Sequence, residues 1–274
     1  MRSKFAAAIL LLLSLPLHAS EVEYTGAAPE SIKIIGLRVP WLLDYEKPGP
    51  YNKVADALFS ESPLAVHLEL QPLKRAMRHF FEGDADCFFM GDTDEAYFIG
   101  TPLADTPIIV SEPFNTVNMR VFSFGNTEPF SSVDQITDKR VAVDLGVGGI
   151  IRIMQVIPNL TQAVDALNAD QIHAMLSKGR AEAALMMDYD YALHAARHPE
   201  QALLQFDPAL TVQKVQDAMM CKQTPRTETL IAHVNARIAG MSKSGRLVSI
   251  LRPAVDFAHS HHKPSATAPT YSDY

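Results

Sequence analysis

The chain has 274 residues, 47% of them hydrophobic and 20% charged, which is enough apolar material for one large or two medium packed domains and excludes a disordered chain. A formal net charge of −7 argues against a nucleic-acid binder, because phosphate contacts need a surplus of lysine and arginine. Two cysteines and ten histidines are the whole stock of softer metal ligands.

The first 19 residues hold Arg2 and Lys4, an apolar run from Phe5 to Leu13, and Pro16-Leu-His-Ala19. This fits a secretory signal peptide cleaved after Ala19, leaving a mature protein in the periplasm. The run is too short to cross a bilayer and no later segment is apolar enough, so the mature chain is not expected to be membrane-embedded. No cysteine lies near the cleavage point, so no lipid anchor is expected either. Loss of Arg2 and Lys4 takes the charge balance to −9.

Ser31-Ile-Lys-Ile-Ile-Gly-Leu-Arg-Val-Pro40 reads as a first strand, followed by a loop with Trp41, Tyr45, Glu46 and Tyr51. Val54 to Phe59 has helical spacing, and Ala65 to Gln71 alternates like a half-buried strand. Leu73, Ala76, Met77, Phe80 and Phe81 make one helix face that ends at Gly83, and Asp86 to Gly91 is a short buried strand. Val117 to Phe124 is a further strand, and Ser132 to Asp138 a short capped helix.

Val141-Ala-Val143 follows as a buried strand, leading to Gly146, Gly148 and Gly149 and a helix start. Such a loop aims backbone N–H groups beyond the strand end. It is not a GxGxxG fingerprint, because Ile151 stands where the last glycine belongs. Leu160 to Leu167 is strand-like, Ala169 to Lys178 helical, Ala181 to Met187 a buried strand, and Asp188 to His198 helical. Val212 to Lys222 is strand-like, Glu228 to Ser242 an amphipathic helix, and Ser244 to Leu251 a last helix. Strands alternating with helices predict an α/β fold whose ligands bind beyond the strands' C-terminal ends.

One pattern occurs twice, a helix stopped by glycine, then an acid, then an apolar strand: Phe80-Phe-Glu-Gly-Asp-Ala-Asp-Cys-Phe-Phe-Met-Gly91 and Leu176-Ser-Lys-Gly-Arg-Ala-Glu-Ala-Ala-Leu-Met-Met-Asp188. Together with Val133 to Gly149 and Met241-Ser-Lys-Ser-Gly-Arg-Leu-Val-Ser-Ile250, in this order, it resembles the periplasmic solute-binding proteins of family 3, the polar amino acid and related binders of ABC transporters. The resemblance covers residues 31 to 257, and the order of the motifs carries it. It implies a two-lobed α/β fold, each lobe a mainly parallel sheet flanked by helices, joined by two hinge crossovers and closing on ligand. Lobe one would be 20–115 plus 216–258, lobe two 116–215, and 259–274 a flexible tail. It further implies a monomer without cofactor or catalytic activity that hands a small polar or zwitterionic ligand to an ABC-transporter permease.

Carried onto this chain, the resemblance puts Trp41 on the ligand's apolar face and Gly91 and Thr93 at a carboxylate. Asp144, Gly146 and Gly148 would line the second lobe's side, and Asp188 would meet the ligand's amine. Arg38 stands where the amino-acid binders have an acid, and Arg75 begins the helix that follows. The clamp arginine expected after Thr93 is missing, since Asp94-Glu-Ala-Tyr-Phe-Ile-Gly100 holds no cation, so an ordinary α-amino acid is not expected. Cys87 and Cys221 fall on strands that the family sets side by side and antiparallel, which implies a disulfide in an oxidising compartment.

Asp92, Asp94 and Glu95 lack the spacing of a calcium loop, and His259, His261 and His262 belong to the tail, so no metal site is expected. No nucleophile or zinc-protease motif is present. Two alternatives stay open: a cleft enzyme of the cyclohexadienyl dehydratase type, with Asp188 or Glu95 as the acid, and a sensory protein that retains the fold.

Overall fold

The structure, a computed structural model, describes residues 31–83, 85–93, 106–125, 128–145, 153 and 156–252. The segment expected to be a signal peptide, the Asp94–Gly100 stretch with Glu95, the loop with Gly146 and Gly148, and the expected tail lie outside the described residues.

Ten strands form the sheet: β1 (Ile32–Leu37), β2 (Val66–Gln71), β3 (Cys87–Asp92), β4 (Ile108–Val110), β5 (Asn115–Phe124), β6 (Arg140–Asp144), β7 (Gln162–Ala166), β8 (Ala183–Met187), β9 (Leu204–Gln205) and β10 (Gln213–Lys222). The helices are α1 (Pro50–Phe59), α2 (Leu73–Phe81), α3 (Ala169–Ser177), α4 (Asp188–Arg197), α5 (Pro225–Lys243) and α6 (246–252), with a 3-10 turn at Val133–Ile136. The strand order is β2-β1-β3-β10-β5-β8-β6-β7, with β4 added on β10 and β9 on β5.

β1 is parallel to β2 and β3, and β6 is parallel to β7 and β8, so each half has the parallel sheet that its alternating pattern predicts. The centre is different: β3–β10, β10–β5 and β5–β8 are all antiparallel. The chain crosses between halves on β5 and returns on β10, and these two strands pair with each other from Asp217↔Asn115 to Gln213↔Met119. This is the two-lobed periplasmic binding protein fold, with its hinge built from ten-residue strands.

Local chemistry explains the element ends. Asn168 caps α3 by accepting from Gln171 N at 3.0 Å. α5 begins three residues before its apolar periodicity does. Thr224 and Thr227 satisfy each other's amides, at 2.9 and 3.2 Å, and Pro225 tolerates the first turn because its missing N–H would have no helical partner there. β9 has only two residues and leaves no periodic signal in the sequence.

The first half packs its core around Ile34, Leu58, Phe89, Leu230 and Val234, and the second around Phe122, Ile172, Ala184 and Tyr191. Tyr189, Ala192 and Leu193 of α4 pack into the first core, so the two halves share apolar contact. No helix among the described residues is long and apolar enough to cross a membrane.

Cys87 and Cys221 are directly opposed on β3 and β10 and form a disulfide, both fully buried, with Cα atoms 4.0 Å apart. The bridge ties residues 134 positions apart, so it removes many conformations from the unfolded chain. Replacing both cysteines with alanine is expected to cost about 3–5 kcal/mol in denaturant unfolding. A thiol titration of the denatured wild-type protein should find no free thiol.

Candidate functional site

A cleft of about 210 Å³ opens where strand ends from both halves converge. Residues 37–41 after β1 and Pro72–Leu73 after β2 form one wall; Asp144–Leu145 after β6, Leu167–Asp170 after β7, and Asp190, Leu193 and Arg197 of α4 form the other. It lies beyond the C-terminal ends of parallel strands, as the α/β pattern predicts.

On the first wall, Arg38 is already neutralised. Its Nε donates to Asp44 Oδ2 at 2.7 Å, and its guanidinium is 3.3 Å from Glu46. Burial pushes the Asp44 carboxyl up, but Arg38 and the Lys47 and Glu46 amides outweigh it and hold it below the usual range.

Trp41 has φ of +70°, in the left-handed region that bulky side chains avoid. The turn is held by a hydrogen bond from Trp41 N to Lys47 O at 2.8 Å. Gly49 is required beside it, since a Cβ there would lie 2.0 Å from the Trp41 carbonyl oxygen. This strained backbone leaves the indole 37% exposed, with Lys47 at 5.4 Å and Arg197 at 5.0 Å from the ring centroid.

The second wall is acidic. Asp144 is buried at the end of β6, and Asp190 projects from the first turn of α4. The Asp190 carboxylate has no hydrogen-bond or ion-pair partner among the described residues. Burial drives its pKa well above the ordinary value, and Asp144, Asp217 and Asp188 push it further, against the weaker pull of Arg197. Asp170 accepts from Arg197 at 3.2 Å and lies 2.6 Å from His194 Nδ1.

Behind the cleft, Tyr51 of α1 donates to Asp217 of β10 and accepts from Asn115 Nδ2 at 2.6 Å. Burial raises Asp217 to about 7, with Asp92 adding repulsion and the Tyr51 hydrogen bond pulling the other way.

The remaining expected site residues lie elsewhere. Asp188 accepts from Asn118 N and Nδ2, each at 3.0 Å, and from Arg120 Nε at 3.4 Å, so it fastens α4 to β5 rather than lining the cleft. Gly91 packs against β10, where a Cβ would meet Met220 at 1.9 Å. Thr93 donates its hydroxyl to Gln216 at 3.1 Å. Arg75 is exposed on α2, away from the lining. Asp170, Asp190 and Arg197 did not emerge from the sequence. Asp190, Leu193 and Arg197 stand three and four residues apart, the spacing of one helix face, which is the signal that could have found them.

No protein-family model and no curated protein sequence matches the chain. Solved structures do match. The GluR0 ligand-binding core in complex with L-glutamate superposes with a TM-score of 0.64 at 15% identity, over 83% of this chain and 98% of that one. A histidine kinase sensor domain with similarity to periplasmic binding proteins gives 0.62 at 15%, over 80% and 93%. The second substrate-binding domain of a Streptococcus pneumoniae protein described as an amino acid ABC transporter gives 0.54 at 15%, over 82% and 99%. At this identity the likeness establishes the fold, which is that of the suspected solute-binding proteins.

A carboxyl whose folded pKa is raised contributes stability that is full below its unfolded value and is lost as pH rises through the folded one. Asp217→Asn is therefore expected to match wild type near pH 4. It should exceed wild type by up to about 4 kcal/mol near pH 8, in thermal unfolding scans across that range.

Proposed function

We propose that the chain is a periplasmic solute-binding protein that closes its lobes on a small molecule bearing a cationic group and delivers it, as a monomer, to an ABC-transporter permease. Asp190 carries this reading: a carboxyl without a partner among the described residues faces the cleft beside Asp144, while Arg38 on the first wall is already matched by Asp44 and Glu46. A ligand ammonium or amidinium would relieve the crowding of acids, and Trp41 would cover an apolar or planar part of it. The secretion-type N-terminus and the substrate-binding domain among the structural neighbours support the transport role. A sensor domain shares the same fold, so a sensory role would use the same capture step.

The raised pKa of Asp190 also favours a second reading, in which this carboxyl is a general acid that protonates a leaving hydroxyl in the cleft. Turnover of prephenate or arogenate by purified protein, lost in Asp190→Asn, would establish that reading; a ligand recovered unchanged would remove it.

The transport reading is tested by a thermal-shift screen against basic amino acids, polyamines, organic acids and sugars. A ligand at 100 times its Kd contributes about 2.7 kcal/mol, an easily visible shift. Cationic compounds should give the hits, and Asp190→Asn should weaken them about tenfold or more, the loss of one charged hydrogen bond. Trp41→Ala should weaken them with little loss of stability. Hits confined to anions or neutral sugars would overturn the cationic specificity.

A further inference from the structure

We infer that Asp170, His194 and His198 form a binding site for a divalent transition-metal ion of the zinc class on the second lobe, at the rim of the cleft. His194 lies in the last turn of α4 and His198 is the residue that caps its end, their rings 4.8 Å apart, and the first turn of α3 brings Asp170 to them. One ligand atom from each residue lies within 4.8 Å of the others. Asp170 Oδ1 is 2.6 Å from His194 Nδ1 and 3.6 Å from His198 Nε2. A tetrahedral ion with bonds of about 2.0–2.1 Å needs ligand atoms roughly 3.3 Å apart, so small side-chain rotations bring all three into range.

The surroundings favour a metal over a simple ion pair. His198 Nδ1 lies 3.3 Å from Glu200 Oε1, which turns Nε2 towards Asp170, and a carboxylate on the far nitrogen is the usual support of a metal-bound histidine. His194 is buried, its ring held between those of His173, at 5.2 Å, and His198, at 4.8 Å, so its orientation is set before any ion arrives. Two imidazoles and one carboxylate suit zinc or nickel; calcium and magnesium prefer an all-oxygen shell. Three protein ligands leave a position for water.

Arg197 Nη2, 3.2 Å from the same Asp170 oxygen, is the competitor. An incoming ion takes over its role of balancing Asp170 and leaves the guanidinium to Trp41, over whose ring it already lies. The site thus adjoins the cleft wall but does not depend on the ligand proposed above.

Isothermal titration of zinc chloride tests the assignment. The full-length chain with His259→Ala, His261→Ala and His262→Ala serves as background, so that the tail histidines do not contribute. One equivalent of zinc should bind, and His198→Ala and Asp170→Asn should each weaken it more than about tenfold. Asp170 is exposed and His198 half-buried, so both variants are expected to fold, and unchanged far-ultraviolet circular dichroism checks this. No zinc binding in the background chain, or binding that survives either substitution within twofold, overturns the site.

Discussion

The antiparallel pairing of β5 with β10 is the contact on which the rest depends. It joins two parallel half-sheets into one, and every other link between the halves is arranged around it. The disulfide locks β10 to β3 on one side, and the Met119↔Met187 to Phe122↔Ala184 register locks β5 to β8 on the other. Asp217 sits at the end of this pairing, opposite Asn115, with its water stripped away. Tyr51 donates the hydrogen bond that water would otherwise make and itself accepts from Asn115, which fastens α1 to the crossing strands. Asp188 does the same for α4 through Asn118 and Arg120. Two buried or half-buried acids thus hold the helices that carry the cleft walls.

That arrangement concentrates negative charge. Asp144, Asp217 and Asp188 each raise the cost of ionising Asp190, and Arg197 pulls more weakly the other way. The opposite wall does not answer with free positive charge, because the loop after β1 folds back so that Asp44 and Glu46 satisfy Arg38. The contrast between the walls is the basis for proposing a cationic ligand. Arg197 over the Trp41 ring and against Asp170 shows, within the protein, the kind of group this surface accepts.

The expected disulfide is present, and the expected α/β two-lobed fold is the one observed. The α/β alternation was legible in hydrophobic runs and glycine stops, and the two-lobed arrangement and the cysteine pairing were legible through the resemblance that the order of the motifs carries. The site was less legible. Trp41, Arg38 and Asp144 are on the cleft, whereas Gly91 and Thr93 are engaged by β10, where Met220 and Gln216 meet them. A glycine demanded by packing and one demanded by a ligand look the same in a sequence. The proposed metal ligands were not singled out in the sequence for a related reason: spacings within loops were searched, whereas Asp170 comes from one helix and His194 and His198 from the end of another.

The sequence by itself determined the class of fold, the position of the major elements and the acidic balance of the chain, since these rest on local periodicity and on composition, and the cysteine pairing followed from the family resemblance. Only the tertiary structure decided which charges remain available. Arg38 is quenched by residues six and eight positions away and Asp188 by residues about seventy positions away, whereas Asp190 has no hydrogen-bond or ion-pair partner among the described residues. Whether a charge binds a ligand or holds the fold depends on what lies within about 3–4 Å of it, where pairing is strong and screening weak. Periodicity places side chains on faces, but the turn at Trp41 and the packing of α4 choose the partners they meet there.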